Sequence, residues 1–222
     1  MKTIVINSQK GGSGKSMLAK HLSVEAIRAG DGPVFLIDTD TQGTLTTWHS
    51  RRESETPALV DVPLAGLARG LELIKDSGAA FCLIDTPSGE LEHAEALFKL
   101  ADFVIFPVQD SDDDLAAAPA TVAILRRVGT PFVFVLTKIK PNTLVTAQVA
   151  AALSKHGQVA TTFVADRTAY KSRYPKGQTI TEAEPNGKAA REVAELWDEL
   201  KSCLHASMNE GESGNMGARK HG

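Results

Sequence analysis

Short apolar runs alternate with helical patterns along most of the chain. The runs are rich in Val, Ile, Leu and Phe without polar alternation, which is typical of strands buried on both faces of a parallel sheet. They predict strands near residues 3–7, 33–37, 80–84, 102–107, 131–136 and 159–163, with a further short strand near 59–62. We therefore predict an α/β fold, a mostly parallel twisted sheet with helices on both faces.

The segments between the strands predict seven helices. These are placed at 16–29, 43–52, 64–77, 90–100, 112–128, 143–156 and 187–206. Pro119 lies inside the fifth helix and should kink it or mark a later start. From residue 207 to 222 the chain turns to Gly, Ser, Asn, Glu and Lys without a hydrophobic period, which favours disorder. We expect a single domain over 1–206 and a disordered tail over 207–222.

Composition narrows the classes of protein to consider. The 222 residues are 42% hydrophobic and 23% charged, as in soluble globular domains, and the formal net charge is -3. Nucleic-acid binding would therefore need a local basic patch. The sequence shows neither a secretory signal nor an apolar stretch of the roughly 20 residues that span a bilayer. We expect a cytoplasmic protein that does not bind membranes.

A glycine-rich loop, Gln9–Ser16, joins the first predicted strand to the first predicted helix. Strand, loop and helix in this order are the context of a P-loop, whose backbone N–H groups and helix N-terminus bind phosphate. Lys15 would reach the β- and γ-phosphates, and the Ser16 hydroxyl would ligate Mg²⁺. Gln9 stands where the standard pattern has glycine, and Lys10 is an additional lysine. The loop predicts binding of a nucleoside triphosphate with Mg²⁺.

Three aspartates follow predicted strands at the edge where a parallel sheet binds its ligand. Phosphoryl transfer to water needs a phosphate cradle, a divalent cation and a positioned water. Asp85 is interpreted as holding a metal-bound water, with capping of the next helix as the alternative. Asp38 and Asp40 follow the second strand, and Asp40 as an ordinary loop residue also stays open.

Four segments together resemble the ParA/MinD family of deviant P-loop ATPases. The loop has the form K-G-G-x-G-K-[ST], and Asp38–Gly43 is similar to the family's D-x-D-P-Q-G, with Thr41 in place of proline. Asp85-Thr86-Pro87 is similar to the Walker B sequence, and 101–108 looks like the strand that follows. The similarity extends from Met1 to about Leu204. It implies a P-loop NTPase fold and Mg-dependent hydrolysis of ATP, as in short ParA-type partition ATPases.

The resemblance also implies roles for individual residues. Lys10 would cross a dimer interface to the phosphates bound by the other subunit, so that the ATP-bound form is a homodimer. Catalytic roles fall to Lys10, Lys15, Asp38 and Asp40, with Asp40 orienting the attacking water, and metal-binding roles to Ser16, Asp38 and Asp85. Met17 replaces a second hydroxyl residue and leaves only its backbone N–H. The implied nucleotide contacts are Lys10, Gly11, Gly12, Ser13, Gly14, Lys15, Ser16, Met17, Asp85, Thr137 and Lys138, the last two at adenine.

A cluster of basic residues suggests an interface with DNA. Family members without an N-terminal helix-turn-helix often bind double-stranded DNA non-specifically through their C-terminal half. The candidates here are Arg167, Lys171, Arg173 and Lys176, interleaved with tyrosines. Contacts to phosphates would be salt-sensitive and carry no sequence readout. The alternative is a solvated loop with scattered charge.

The function predicted from these features is that of a ParA-type partition ATPase. It would dimerise with ATP, associate with the nucleoid and release DNA after hydrolysis stimulated by a ParB-like adaptor. Two alternatives stay open: a positioning ATPase for a protein cargo, and a metabolic P-loop kinase or ligase. The size of the protein with and without ATP separates the last from the others.

Overall fold

The computed structural model describes residues 1–89, 91–140, 143–172 and 174–218. It contains one sheet of seven parallel strands in the order β3-β2-β4-β1-β5-β6-β7. The strands are β1 Lys2–Ile6, β2 Val34–Asp38, β3 Ala58–Leu59, β4 Phe81–Asp85, β5 Phe103–Val108, β6 Phe132–Ile139 and β7 Val164–Ala165. The predicted parallel α/β fold is confirmed.

The helices follow the strands as predicted, with two short helices added late in the chain. They are α1 Lys15–Arg28, α2 Thr44–His49, α3 Leu67–Asp76, α4 Leu91–Leu100, α5 Asp112–Val128, α6 Leu144–Leu153, α7 Thr168–Lys171, α8 Ile180–Ala183 and α9 Lys188–Ala218. A 3-10 turn lies before each of α3 and α8, at Leu64–Gly66 and Pro175–Gly177. A search of the described helices finds none with the length and apolarity to span a bilayer.

Both faces of the sheet are covered by helices. In β1, Ile4 and Ile6 pack into one core with residues of α1 and α9, including Trp197. Val5, which points to the opposite face, packs into a second core with Phe98 of α4. Successive strand residues point to opposite faces, so β1 contributes to both cores. This explains why the strand sequences are apolar throughout.

The register of the strands brings two of the predicted acidic residues side by side. Strand β4 lies between β1 and β2, and Asp38 at the end of β2 is paired with Asp85 at the end of β4. The backbone N–H and the hydroxyl of Thr39 both donate to the Asp85 carbonyl, at 2.9 and 2.8 Å. The carboxyl edge of the sheet therefore gathers the loop after β1 and both aspartates.

The last strand differs from the prediction. Residues 159–163 form no strand: Val159 makes a single bridge to Phe134, and the strand β7 comes later, at Val164–Ala165. The reason is a competing acceptor, because the N–H groups of Thr161 and Thr162 donate to the Glu199 carboxylate instead of a neighbouring strand. The short strand predicted near 59–62 is present as β3.

Two helix predictions also change. Helix α5 begins at Asp112 behind an N-cap at Ser111 and continues through Pro119, so a start after the proline is wrong. Helix α9 continues to Ala218, past the end expected at 206. The backbone of 207–218 is helical in the structure, since extending an existing helix avoids the cost of nucleation; the disorder expected for 207–222 stays a prediction. Residues 219–222 lie outside the described part.

Candidate functional site

The glycine loop is fixed between strand β1 and helix α1. Gly14 adopts a left-handed conformation with φ 102° directly before α1, which favours glycine there. Ser13 is fully buried, and its hydroxyl contacts that of Ser8. The Thr137 hydroxyl at the end of β6 donates to the Ser13 carbonyl at 2.6 Å. The loop is therefore held at its base by the neighbouring strand.

Lys15 places a buried amine beneath this loop. Its side chain is 5% exposed, and Nζ donates to Ser88 Oγ at 2.6 Å. Burial lowers the pKa of Lys15, and the charges of Asp85 and Asp40 oppose that shift only in part. Its hydrogen-bond acceptors are hydroxyls and a carbonyl, without a carboxylate among them. A phosphate would supply the anion that this ammonium group lacks.

Asp85 is a buried carboxylate without a hydrogen-bond partner. The residue is fully buried, and neither carboxylate oxygen accepts a hydrogen bond from any residue that the structure describes. Burial, with smaller contributions from the charges of Asp38 and Asp40, raises the pKa of Asp85 to about 7, although the nearby Ser16 hydroxyl and Lys15 lower it. The Ser16 hydroxyl is close enough to lower the pKa of Asp85, but it does not form a hydrogen bond with the carboxylate. A bound cation would relieve this uncompensated charge.

The residues at this edge fit Mg²⁺ bound together with a nucleotide. Mg²⁺ takes one or two protein ligands and completes its shell with phosphate oxygens and water. Ser16 and Asp85 offer a hydroxyl and an orphaned carboxylate next to the loop. Within the described residues no three His, Cys, Asp or Glu side chains form a metal cluster of their own.

Asp38 and Asp40 are engaged in local structure. One Asp38 oxygen accepts from the backbone N–H and hydroxyl of Thr46 in α2, at 2.8 and 2.9 Å, and the other from the Asp40 N–H at 3.2 Å. Asp40 accepts from the Gln42 N–H at 3.0 Å through one oxygen. Asp38 therefore orders the start of α2 and is less free than Asp85 to join a metal shell.

Lys10 is held within its own chain. Its Nζ lies 3.0 Å from Asp113 Oδ2, 3.9 Å from Asp114 Oδ2 and 3.5 Å from Ser111 Oγ, all at the start of α5. The hydrogen bond to Asp113 raises the pKa of Lys10. The Asp113 side chain is 84% exposed, so this ion pair is accessible to water and to exchange.

Gln9, at the irregular first position of the loop, also contacts α5. Its Nε2 donates to the Ala117 carbonyl at 2.9 Å and to the Thr121 hydroxyl at 2.8 Å. Glycine could make neither contact, since both need the side-chain amide. The loop is thus tied to α5 on one side by Gln9 and Lys10, and to β6 on the other by Thr137.

The two residues assigned to adenine have different positions. Thr137 is fully buried, and its hydroxyl donates to the Ser13 carbonyl of the loop; its contact with the base stays a prediction. Lys138 has φ 54°, and its Nζ donates to the Gly12 carbonyl. Lys138 also borders a cavity of about 130 Å³ beside the loop, whose walls include Met17 and Asp166. The remaining lining residues are Val164, Ala165, Arg167, Tyr170 and Lys171.

This cavity is where the structure offers room for a nucleoside base. Sequence reasoning missed Val164, Ala165 and Tyr170 as lining residues, because it placed the last strand at 159–163. The available signal was the short apolar run immediately before Asp166. An apolar wall with a few polar groups at its rim is typical of a small-molecule site.

The described basic residues of the candidate DNA patch are paired with carboxylates. Arg167 Nε donates to Glu192 Oε1 at 2.9 Å, where Glu192 is 14% exposed. The more exposed lysines contact acids as well, Lys171 with Asp166 at 2.6 Å and Lys176 with Glu53 at 2.9 Å. Arg173 lies outside the described residues. The described residues of the patch therefore form ion pairs and do not present a free cationic surface.

Comparison with known proteins agrees with this geometry. Residues 4–180 match the family model "CobQ/CobB/MinD/ParA nucleotide binding domain". The chain is 25% identical to Protein ParA of Rhizobium radiobacter over 211 residues, 89% of this chain and 94% of that protein. It is 32% identical over 149 residues to "Maintenance of carboxysome distribution protein A" of Gloeobacter kilaueensis, 64% of this chain and 66% of the relative.

A solved structure supports the fold. The plasmid partition protein of Borrelia burgdorferi bound to AMPPNP superposes with a TM-score of 0.63 at 18% identity, covering 90% of this chain and 98% of that one. The deviant loop, the aspartate at the end of β4 and the match over residues 4–180 lead to the same assignment. The chain belongs to the CobQ/CobB/MinD/ParA nucleotide-binding domain family, as its resemblance to ParA and MinD proteins predicted.

Proposed function

We propose that the protein is a ParA-type ATPase that binds ATP with Mg²⁺, dimerises in that state, binds DNA non-specifically and drives the partition of plasmid or chromosomal DNA. Hydrolysis, stimulated by a ParB-like adaptor, returns it to the free form. The proposal places the protein in the cytoplasm, associated with the nucleoid. The ParA relative and the partition protein of like fold support this function.

The observation that carries the proposal is the combination at the loop of a desolvated Lys15 and an unpartnered Asp85. One group lacks an anion and the other lacks a cation, and Mg²⁺ with a triphosphate supplies both. Bound Mg²⁺ would neutralise charge that develops on the phosphates. Ser16 and Asp85 would hold it, Lys15 would bind the phosphates, and Asp40 would orient the attacking water.

Dimerisation is proposed from Lys10. In this proposal its amine leaves Asp113 and contacts the phosphates held by a second subunit, as a cationic finger in phosphoryl transfer. The exchange costs little free energy because ion pairs exposed to water and salt are weak. The triphosphate offers several negative charges in place of one carboxylate.

DNA binding is proposed from the exposed lysines, Lys171 and Lys176, together with Arg173. The side chains of Lys171 and Lys176 are 61% and 62% exposed. Their ion pairs with carboxylates are therefore weak, and phosphates of DNA can replace those carboxylates. Arg167 suits this role less, because its partner Glu192 is mostly buried. A dimer doubles the patch and makes DNA binding depend on ATP.

A second candidate is a positioning ATPase for a protein cargo. It is favoured by the 32% identity to the carboxysome distribution protein. The nucleotide site and the dimer would be the same, and only the adaptor and cargo would differ.

The test measures the size of the protein by light scattering with Mg²⁺ and a non-hydrolysable ATP analogue. We expect a dimer for the native protein and for Asp40→Ala, which should hydrolyse ATP more slowly. Lys10→Ala should stay monomeric while still binding nucleotide, and Lys15→Ala should lose nucleotide binding. Lys75→Ala, exposed on α3, is the matched control and should behave as the native chain.

A native protein that stays monomeric when saturated with the analogue would contradict the switch and favour a kinase or ligase. The DNA arm measures binding to a random duplex at two salt concentrations. Affinity should appear only with the analogue and fall steeply with salt. DNA binding equal in both nucleotide states would contradict partition by this cycle.

A further inference from the structure

A second cavity, of about 460 Å³, lies beside the one next to the loop and shares Tyr170 and Lys171 with it. Helix α1 contributes Lys20, and Arg51 comes directly after α2. The three charged residues in its described lining, Lys20, Arg51 and Lys171, are all cationic. No carboxylate belongs to that lining, so the cavity is strongly electropositive.

Two of these cations have no partner in the part of the chain that the structure describes. The Lys20 amine and the Arg51 guanidinium make no hydrogen bond or ion pair with any residue in the described ranges. Lys20 is partly buried, and its pKa is lowered by burial and then by the charge of Arg51. Two like charges that face the same cavity repel each other, and desolvation adds to the cost for Lys20.

Neighbouring cations show that carboxylates are available in this part of the fold. Arg52, next in sequence to Arg51, contacts Glu182 at 2.8 Å. Lys171 contacts Asp166 at 2.6 Å at the rim of the cavity. Lys20 and Arg51 are the exceptions among these side chains, which points to an anion that comes from outside the chain.

We infer that this cavity binds a phosphate group, carried by a small phosphorylated compound, between Lys20 and Arg51. A guanidinium group binds phosphate oxygens in a bidentate manner, and an ammonium group adds a point charge. Ser172 and Gln178 offer further polar groups at the wall. A concave site of this volume suits a small compound better than the convex backbone of a duplex.

The site is distinct from the glycine loop and adjacent to it. Lys20 follows Ser16 by four residues, so it lies on the same side of α1 one turn further from the loop. Tyr170 and Lys171 separate the two cavities. A phosphate bound at Lys20 and Arg51 would therefore be a neighbour of the nucleotide and not part of its triphosphate. The inference does not depend on hydrolysis, dimerisation or cargo.

The test uses inorganic pyrophosphate as the probe, with the full chain saturated with ADP and Mg²⁺ to occupy the loop. Isothermal titration should detect one further anion per chain. Lys20→Met and Arg51→Gln should each weaken it by roughly tenfold or more, as expected for loss of a charged hydrogen bond. Lys75→Met, an exposed lysine on α3, should leave it unchanged. Equal binding by the native chain and both variants, or none by the native chain, would overturn the inference.

A stability measurement gives an independent readout. Without pyrophosphate, Lys20→Met should unfold at a higher urea concentration than the native chain because the repulsion with Arg51 is removed. Pyrophosphate should then stabilise only the native chain. A variant that is less stable than the native chain without the anion would show that Lys20 is already compensated, and would refute the site.

A short DNA duplex identifies the source of the phosphate. If the duplex displaces pyrophosphate from the native chain, and Arg51→Gln does not bind the duplex, the site would belong to the DNA backbone and a small phosphorylated compound as its occupant would be refuted. Absence of displacement would support it as a site for a free phosphorylated compound.

Discussion

Replacing Asp85 by asparagine should stabilise the protein without nucleotide, and by an amount that depends on pH. The folded state holds this carboxyl at a pKa of about 7, against a usual value of 3.8. At a pH below both pKa values, the carboxyl is protonated in the folded and in the unfolded state, so its ionisation does not change the free energy of unfolding. As pH rises from about 4 to 7 the unfolded chain ionises first, so stability falls, and above 7 the loss is constant.

The magnitude follows from the two pKa values. At about 1.36 kcal/mol per tenfold change in the protonation equilibrium, the loss is about 2 kcal/mol at pH 5 and about 4 kcal/mol at pH 8. Asparagine is neutral at both pH values, and any cost of its unpaired amide is independent of pH. The stability of Asp85→Asn relative to the native chain should therefore rise by about 2 kcal/mol between pH 5 and pH 8.

Urea unfolding followed by circular dichroism at the two pH values measures this difference. Asp61→Asn is the control, because Asp61 is exposed, and its effect should be the same at both. With Mg²⁺ and an ATP analogue bound, the native chain should become more stable than Asp85→Asn, since only the native carboxylate neutralises charge on the metal. A relative stability of Asp85→Asn that does not change with pH would refute the account of a buried, uncompensated carboxyl.

Two further predictions concern other parts of the molecule. Asp113→Asn removes the closest partner of Lys10. It should lower the ATP concentration needed for half-maximal dimerisation by at most about fivefold, since exposed ion pairs are weak. An unchanged midpoint in light scattering would show that the ion pair does not restrain Lys10. Gly177→Ala should destabilise the protein by about 2–3 kcal/mol, because Gly177 has φ 65° and an added Cβ would lie 2.7 Å from a backbone nitrogen of the segment after α2. Gly30→Ala is its control, with φ 83° and no atom within 4 Å of the added Cβ, and should cost only about 1 kcal/mol in the same urea assay; equal costs for the two would contradict the predicted clash.

Much of the fold could be predicted from sequence because its determinants are local. Strands buried on both faces must be apolar throughout, and five of the six long runs that were predicted as strands showed this. The loop at Gln9–Ser16 and the aspartates at strand ends could be assigned to one site from the sequence, because parallel strands bring their carboxyl ends to one edge of the sheet. Residues 159–163 were misassigned because an apolar run does not reveal that the Thr161 and Thr162 N–H groups donate to Glu199.

The candidate site was predictable only in part, for the same physical reason. Residue type and spacing identified Lys15, Ser16 and Asp85, whose roles follow from the phosphate loop itself. The sequence could not show that Thr137 bonds to Ser13, since these residues are 124 positions apart. Nor could it show that Lys171 and Lys176 are neutralised by distant or loop carboxylates, because pairing depends on which side chains meet in space.

By itself, the sequence determined the alternation of elements, the phosphate loop and the family. Each is encoded in neighbouring residues through periodicity, backbone freedom and functional groups at fixed spacing. Only the tertiary structure decided which charges are compensated. Among the described residues it leaves the Asp85 carboxylate without a hydrogen-bond partner, pairs Lys10 with Asp113, and faces Lys20 and Arg51 into one cavity. Burial and distance set the free energy of a charge, and both are defined only once remote segments pack together.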